Sequence, residues 1–366
     1  MAVSQPINSR RDMLSVFDAR LQNTQSDLLE DTRLEFGRNM LKTAVIESNI
    51  SPNQFVQTEI IDEVHEVEDN LWMTKIETNE GEGWLFTDFH NERLWSIYSL
   101  AESTVFNSAI DSLLKSEGGG LDRLWLPTGE IERIGEMGNY EGIKIGFAAD
   151  EVFPQSFVED NFEFSDLSID GSGQNSHHLY EILKSTSGIN DFISLSSIKI
   201  RREAEGEFVR ERITNEGGFT TRGGSDIKLH LSTVSRIKEQ YEELLGAVER
   251  NHIISAEEQD GGGRARGSPV LIRFNRSVPD IEEFLSHVVN AQDPFRLWGH
   301  VRQTGEEAYK VDGVDAHNGD KIAIEMSPEW LRLYLYGNAC GNTALRLFTN
   351  IQHYYDPAAE LVIDDV

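Results

Sequence analysis

The chain carries a single cysteine, Cys340, among 366 residues. One thiol excludes an internal disulfide and any cysteine-rich zinc centre. Cys340 stands among Gly337, Asn338, Ala339 and Gly341, where small size accounts for it. Long apolar runs are equally scarce. No stretch approaches the roughly 20 residues that cross a bilayer, and residues 1–30 hold Arg10 and Arg11 without the apolar centre of a signal peptide. The expectation is a cytoplasmic protein without membrane contact. Catalytic signatures are missing too: there is no GxxxxGK[ST] phosphate loop, HExxH, GxSxG or paired CxxC. Gly171-Ser172-Gly173 precedes a helix pattern, but Gln174-Asn175-Ser176 does not complete a dinucleotide fingerprint. No cofactor is expected.

Lysine is the other shortage. Ten lysines and 23 arginines face 63 acidic residues, for a net charge of −30. The acid is spread along the chain rather than run in blocks, which points to adaptation to molar salt and a halophilic archaeal source. In about 1 M salt the Debye length falls to about 3 Å, so like surface charges repel weakly. Net acidity therefore does not argue against a nucleic-acid partner. Counterion release contributes little at such salt, and any such contact leans on stacking, shape and hydrogen bonds. The apolar share of 39% and the aromatic share of 9% suffice for buried cores and exclude a wholly disordered chain.

Periodicity supplies the architecture. Met13, Phe17 and Leu21 predict an N-terminal helix capped by Asn8 or Ser9, and a second helix is expected after Asp31, burying Leu34, Leu41 and Val45. From Phe55 the period drops to two. A helix after Ser103 buries Phe106, Ala109, Ile110, Leu113 and Leu114 and stops at Gly118. The pattern then gives a helix capped by Ser176 with Leu179, Ile182 and Leu183 inward, and strands at 192–201, 207–214 and 226–231. Next comes a helix after Ser232 with Val234, Ile237, Tyr241, Leu244 and Val248 on one face. Ser277 to Asp280 resembles a capping box. The stretch 320–357 reads strand, corner, strand, small-residue turn and helix, with Ala344, Phe348, Ile351 and Tyr355 buried. Trp298, Tyr309, Tyr334 and Tyr336 on the nearby strands are read as packing.

Consecutive strands joined by hairpins pair antiparallel, so the expected class is α+β. Two or three repeated units are expected, each an antiparallel sheet with helices packed on one face, after a helical N-terminus. The boundaries are a helical segment at 1–50, units at 51–135 and 140–254, a flexible Gly-rich linker at 255–269, and a unit at 270–366.

The main local anomaly is basic. Lys199, Arg201 and Arg202 lie on one strand and Arg210 and Arg212 on its hairpin partner, followed by Arg222. Lys199 and Arg201 project to one face, as do Arg210 and Arg212; if the faces coincide, like charges oppose one another unless an anion sits between them. Lys199, Arg201, Arg210, Arg212 and Arg222 are the candidate nucleic-acid or anion-binding set. Glu203, Glu205, Glu207 and Glu211 offer a competing reading, a solvated hairpin laddered with acid. His177-His178 would point roughly 100° apart on a helix and does not make a metal pair by itself. The expectation is a non-enzymatic binding or scaffolding protein whose partner is a protein or nucleic acid, with an oligomeric state the pattern does not specify. The alternative is a metal-dependent hydrolase or nuclease using Asp312, Asp315, Asp320 and Glu325.

Overall fold

A computed structural model describes residues 7–30, 40–116, 119–259 and 262–363. The class is mixed α+β with antiparallel sheets. The chain divides into two compact units, each gathered from separate segments. One is built from the described residues within Met1–Leu124, Arg133–Glu141 and Ser197–Glu239; the other from those within Trp125–Glu132, Gly142–Ser196 and Gln240–Val366.

The first unit is organised on the strand Lys42–Ser48, whose seven residues are all buried. It pairs antiparallel with Leu94–Ser99, Gly218–Gly224 and Leu121–Arg123. Outward from Leu94–Ser99 run Gly81–Asp88, Leu71–Thr78 and Ile61–Glu68; outward from Gly218–Gly224 run Glu207–Thr214 and Leu195–Ala204. Period-two alternation sends successive side chains into different clusters. Trp95 and Ile97 pack with Phe55 and with Phe106, Ala109, Ile110 and Leu113 of the helix Ser103–Leu114. Tyr98 instead joins Met13 and Phe17 of the helix Arg10–Glu30, where Phe17 meets Phe86 edge-on at 5.4 Å. Each fully buried ring contributes about 1.5–3 kcal/mol by leaving water. Ser9 accepts the Asp12 amide at 3.1 Å, as an N-cap does.

The second unit holds a meander of Leu297–Gln303, Tyr309–Asp315, Lys321–Ser327 and Trp330–Tyr336. The last strand also pairs antiparallel with Val270–Arg273 and, at Ile253 and Ile254, parallel with Ile253–Gln259. One sheet face carries Val270, Ile272, Val311, Ile322, Ile324, Met326, Leu331, Leu333 and Leu335, all nearly inaccessible. Aromatic contacts tie the unit together. Phe284 of the helix Ile281–Val288 meets Tyr355 at 4.8 Å and Phe274 at 6.0 Å.

The helix Asn342–Tyr354 is buried from Asn342 through Gln352, polar residues included. Such a helix must satisfy its polar atoms internally. Arg346 donates to Asp315 at 2.5 Å and to the Phe295 carbonyl at 2.8 Å, and Thr343 donates to the other Asp315 oxygen. Asn350 donates to the Pro294 carbonyl, and Gln352 accepts the Thr128 amide.

Several local expectations change. Val45 belongs to a strand, not a helix, because its neighbours on both sides are strands; Leu34 and Gly118 lie outside the described residues. Residues expected as a strand at 226–231 instead open the helix Ile227–His252, whose core line uses Leu245 rather than Leu244. Within the stretch read as a linker, Ile253–Gln259 and Gly262–Arg266 pair as antiparallel strands. Asp280, not Ser277, caps its helix, accepting the Glu283 amide at 2.9 Å. On the helix Ser176–Ser185, Tyr180 is buried, while Leu179 and Ile182 are 38% and 47% exposed.

Candidate functional site

The basic hairpin is set by its turn. Ala204 pairs with Glu207, leaving Glu205 and Gly206 as a two-residue loop with φ of 55° and 87°. Two consecutive positive φ values mark the turn that matches strand twist, and glycine takes the second at no steric cost. That loop fixes the register. Arg201 falls directly opposite Arg210, and Lys199 directly opposite Arg212. The two basic faces coincide.

Like charges so placed repel, and neighbouring groups restrain them. Arg201 bonds Glu203 through Nε at 2.6 Å and lies over the Phe208 ring at 4.4 Å. Arg210 bonds Glu141 through Nε at 2.6 Å, and Arg212 bonds Ser197 through Nε at 3.1 Å. In all three the Nε is engaged, and among the described residues no hydrogen bond occupies the terminal nitrogens. Lys199 is 8% exposed. Arg222 sits where the register of the next strand pair shifts, between Thr221 opposite Glu211 and Gly223 opposite Arg210. Arg202 points the other way, onto Thr233 at 2.7 Å. Of the four acids in the competing ladder, Glu203 shares the basic face. Glu211 is buried on the opposite face against His230.

Behind the hairpin lies a polar chain that the sequence does not announce. His230 bridges Glu211 through Nδ1 and Thr43 through Nε2, the latter at 2.8 Å, and all three side chains are sealed from solvent. Its order resembles a hydroxyl–imidazole–carboxylate relay. Without an opening to the hydroxyl it holds the strand Lys42–Ser48 to the helix above it.

The acids of the alternative reading do not converge. Asp315 is buried in its pair with Arg346, where burial pushes its carboxyl up but the guanidinium and the hydrogen bonds from Arg346 and Thr343 hold it below the ordinary range. Asp320 accepts the Cys340 amide at 3.1 Å. Asp312 pairs with Arg302, and Glu325 accepts the Tyr334 hydroxyl at 2.6 Å. Among the described residues no three His, Cys, Asp or Glu side chains are grouped to hold a metal ion. His177 pairs with Glu181 at 3.7 Å, on the exposed side of its helix.

The aromatics of the second unit depart most from expectation. Trp298 is 56% exposed and Tyr336 42% exposed. The rings of Tyr334 and Tyr336 stack 6.5 Å apart at 17°. These three lie on the sheet face opposite the leucine-rich core, so they are not packing. Tyr309 lies on the core side, opposite buried Met326. Alternation alone could not have separated the faces, because both carry large apolar side chains at period two.

Among the described residues no helix is long and apolar enough to cross a membrane. No solved structure matches the chain. The uncharacterized protein MJECL33 of the archaeon Methanocaldococcus jannaschii is 30% identical, over 98% of this chain and 95% of its own length. The MJECL33-like protein family matches residues 1–366, the full chain. By both comparisons the chain belongs to the MJECL33-like family.

Proposed function

We propose that this is a non-enzymatic binding protein that contacts nucleic acid, alone or within a nucleoprotein complex, through the basic hairpin of its first unit. One observation carries the reading: three guanidiniums on one hairpin face, two of them directly opposed, are tethered through Nε, and their terminal nitrogens carry no hydrogen bond among the described residues. A tethered guanidinium has less rotamer freedom to lose on binding, and its planar fork suits a phosphate oxygen pair. Arg201 and Arg210 stand opposed on the surface of a net-acidic chain, and Glu203 and Glu141 meet them only at Nε, which leaves an anion two terminal forks to bridge. The setting proposed with it is the cytoplasm of a salt-adapted archaeon. The acid excess and the scarcity of lysine support it.

The test is charge reversal. Arg201→Glu together with Arg210→Glu is expected to weaken retention of nucleic acid at least ten-fold at fixed high salt, with the thermal midpoint little changed. Both side chains are about two-fifths exposed, so the fold tolerates the exchange. Unchanged retention removes the hairpin from the contact.

A further inference from the structure

We infer that the open face of the second unit is a platform on which the unpaired bases of a single-stranded nucleic acid stack. It uses residues separate from the hairpin and stands or falls by separate variants.

The face follows from register. Trp298 stands opposite Val314, which stands opposite Lys321; His300, Asp312, Ala323 and Tyr334 form the next row. Arg302, Lys310, Glu325, Arg332 and Leu271 form the third, and Trp330 and Arg273 extend the face beyond it. Every residue of these rows projects away from the buried leucines. Trp298 and its neighbour Gly299 are held where they are by a close approach: a Cβ on Gly313 would come within 2.3 Å of the Trp298 carbonyl oxygen.

Two properties identify the occupant. The first is stacking surface at several positions. The Tyr334–Tyr336 pair and exposed Trp298 offer ring faces, and Arg332 lies over the Trp330 ring at 4.4 Å, presenting a planar guanidinium. Every base has a π face, so such surfaces bind single strands with little sequence preference. The second is local charge. Arg273, Arg302, Lys310, Lys321 and Arg332 give five cations against three acids, Asp312, Glu325 and Glu360, in a chain where acids outnumber bases 63 to 33. Aromatics interleaved with cations complement a strand that alternates bases with phosphates. At the end of the face a cavity of about 370 Å³ opens, lined by Leu271, Arg273, Phe274, Asn275, Trp330 and Arg332 among others. Glu329 also lines it, so the two arginines outnumber the acid there two to one, and it has room for a terminal base against Trp330.

A duplex buries its base faces and gains nothing from these rings, whatever its phosphates gain from the cations. A stacking contact also persists in molar salt, where a purely ionic one is screened.

The experiment measures the affinity of the full chain for a labelled oligothymidylate by fluorescence anisotropy, with a duplex of matched length beside it. Trp298→Ala with Tyr336→Ala is expected to weaken the single strand at least ten-fold and leave the duplex unchanged. Trp298→Phe, which keeps a ring, is expected to retain most of the affinity. The hairpin variant Arg201→Glu/Arg210→Glu, by contrast, weakens both nucleic acids. Both platform side chains are about half exposed, and an unchanged thermal midpoint confirms that the variants fold. Oligothymidylate affinity that is the same in the alanine double variant and the parent overturns the platform, as does an equal loss for single strand and duplex. If the face docks a protein instead, the first of those outcomes is what appears.

Discussion

Arg201 and Arg210 stand directly opposite one another across two antiparallel strands, and each commits its Nε to a different carboxylate, Glu203 and Glu141. The carboxylates have opposing effects. They lower the local positive potential, which weakens attraction for an anion, and they fix the guanidiniums, which strengthens it.

Salt separates the two effects. Glu141→Gln removes a charge and loosens Arg210. At low ionic strength the gained potential is expected to dominate and nucleic-acid affinity to rise. In molar salt, with a Debye length of about 3 Å, the lost orientation is expected to dominate and affinity to fall. Filter retention at the two salt levels checks the change of sign.

The buried pair Asp315–Arg346 has no solvent to fall back on, since both side chains are inaccessible. Arg346→Met strands a carboxylate and is expected to cost about 3–5 kcal/mol in denaturant unfolding. Adding Asp315→Leu is expected to recover much of that loss. The pH dependence follows from a carboxyl held below its ordinary range. Its contribution is complete above the unfolded value of about 3.9 and is lost as pH falls through the folded one. Stability of the parent minus that of Asp315→Asn, followed from pH 6 down to 2, is expected to shrink across that window.

His353 runs the opposite way from a histidine gaining a partner. Burial, with help from the nearby Lys144 charge, depresses it from 6.5 to about 4. The unfolded chain takes up a proton near 6.5 and the folded one does not. Stability is therefore expected to fall between pH 6.5 and 4, by about 3 kcal/mol at the lower end. Subtracting the profile of His353→Gln isolates that slope; matching profiles would show that the side chain titrates normally.

Gly313→Ala places a methyl group against the Trp298 carbonyl oxygen, a backbone atom that cannot swing aside. Overpacking of this kind is expected to cost about 1–3 kcal/mol. Chemical denaturation measures it, and an unperturbed midpoint would mean that the two strands separate freely.

Elements with one strong period were legible. Met13, Phe17 and Leu21, and later Ala344, Phe348 and Ile351, pack as their spacing implies. The face shared by Lys199 and Arg201 and the face shared by Arg210 and Arg212 were legible from alternation, but that the two coincide follows from the two-residue loop Glu205-Gly206, which alternation does not place. What escaped depends on contacts distant in sequence. Arg346 reads as the solvent side of an amphipathic helix until Asp315 and the Phe295 carbonyl arrive from other strands. Val45 fits a helical stripe until strands flank it on both sides. Tyr334 and Tyr336 look like core because alternation defines two faces and does not say which one meets a helix.

The hairpin also bears on selectivity between ions. In a saline medium the monovalent halides are by far the most abundant anions, and a lone surface guanidinium would spend its time paired with them. A row of restrained guanidiniums changes the competition, because each halide must be held separately while a polyanion bridges neighbouring sites once one end is bound. Under the proposed contact, the strand pairing that sets Arg201 against Arg210 would act as a valence filter. It would pass over the simple anions of the medium and retain the polymeric one.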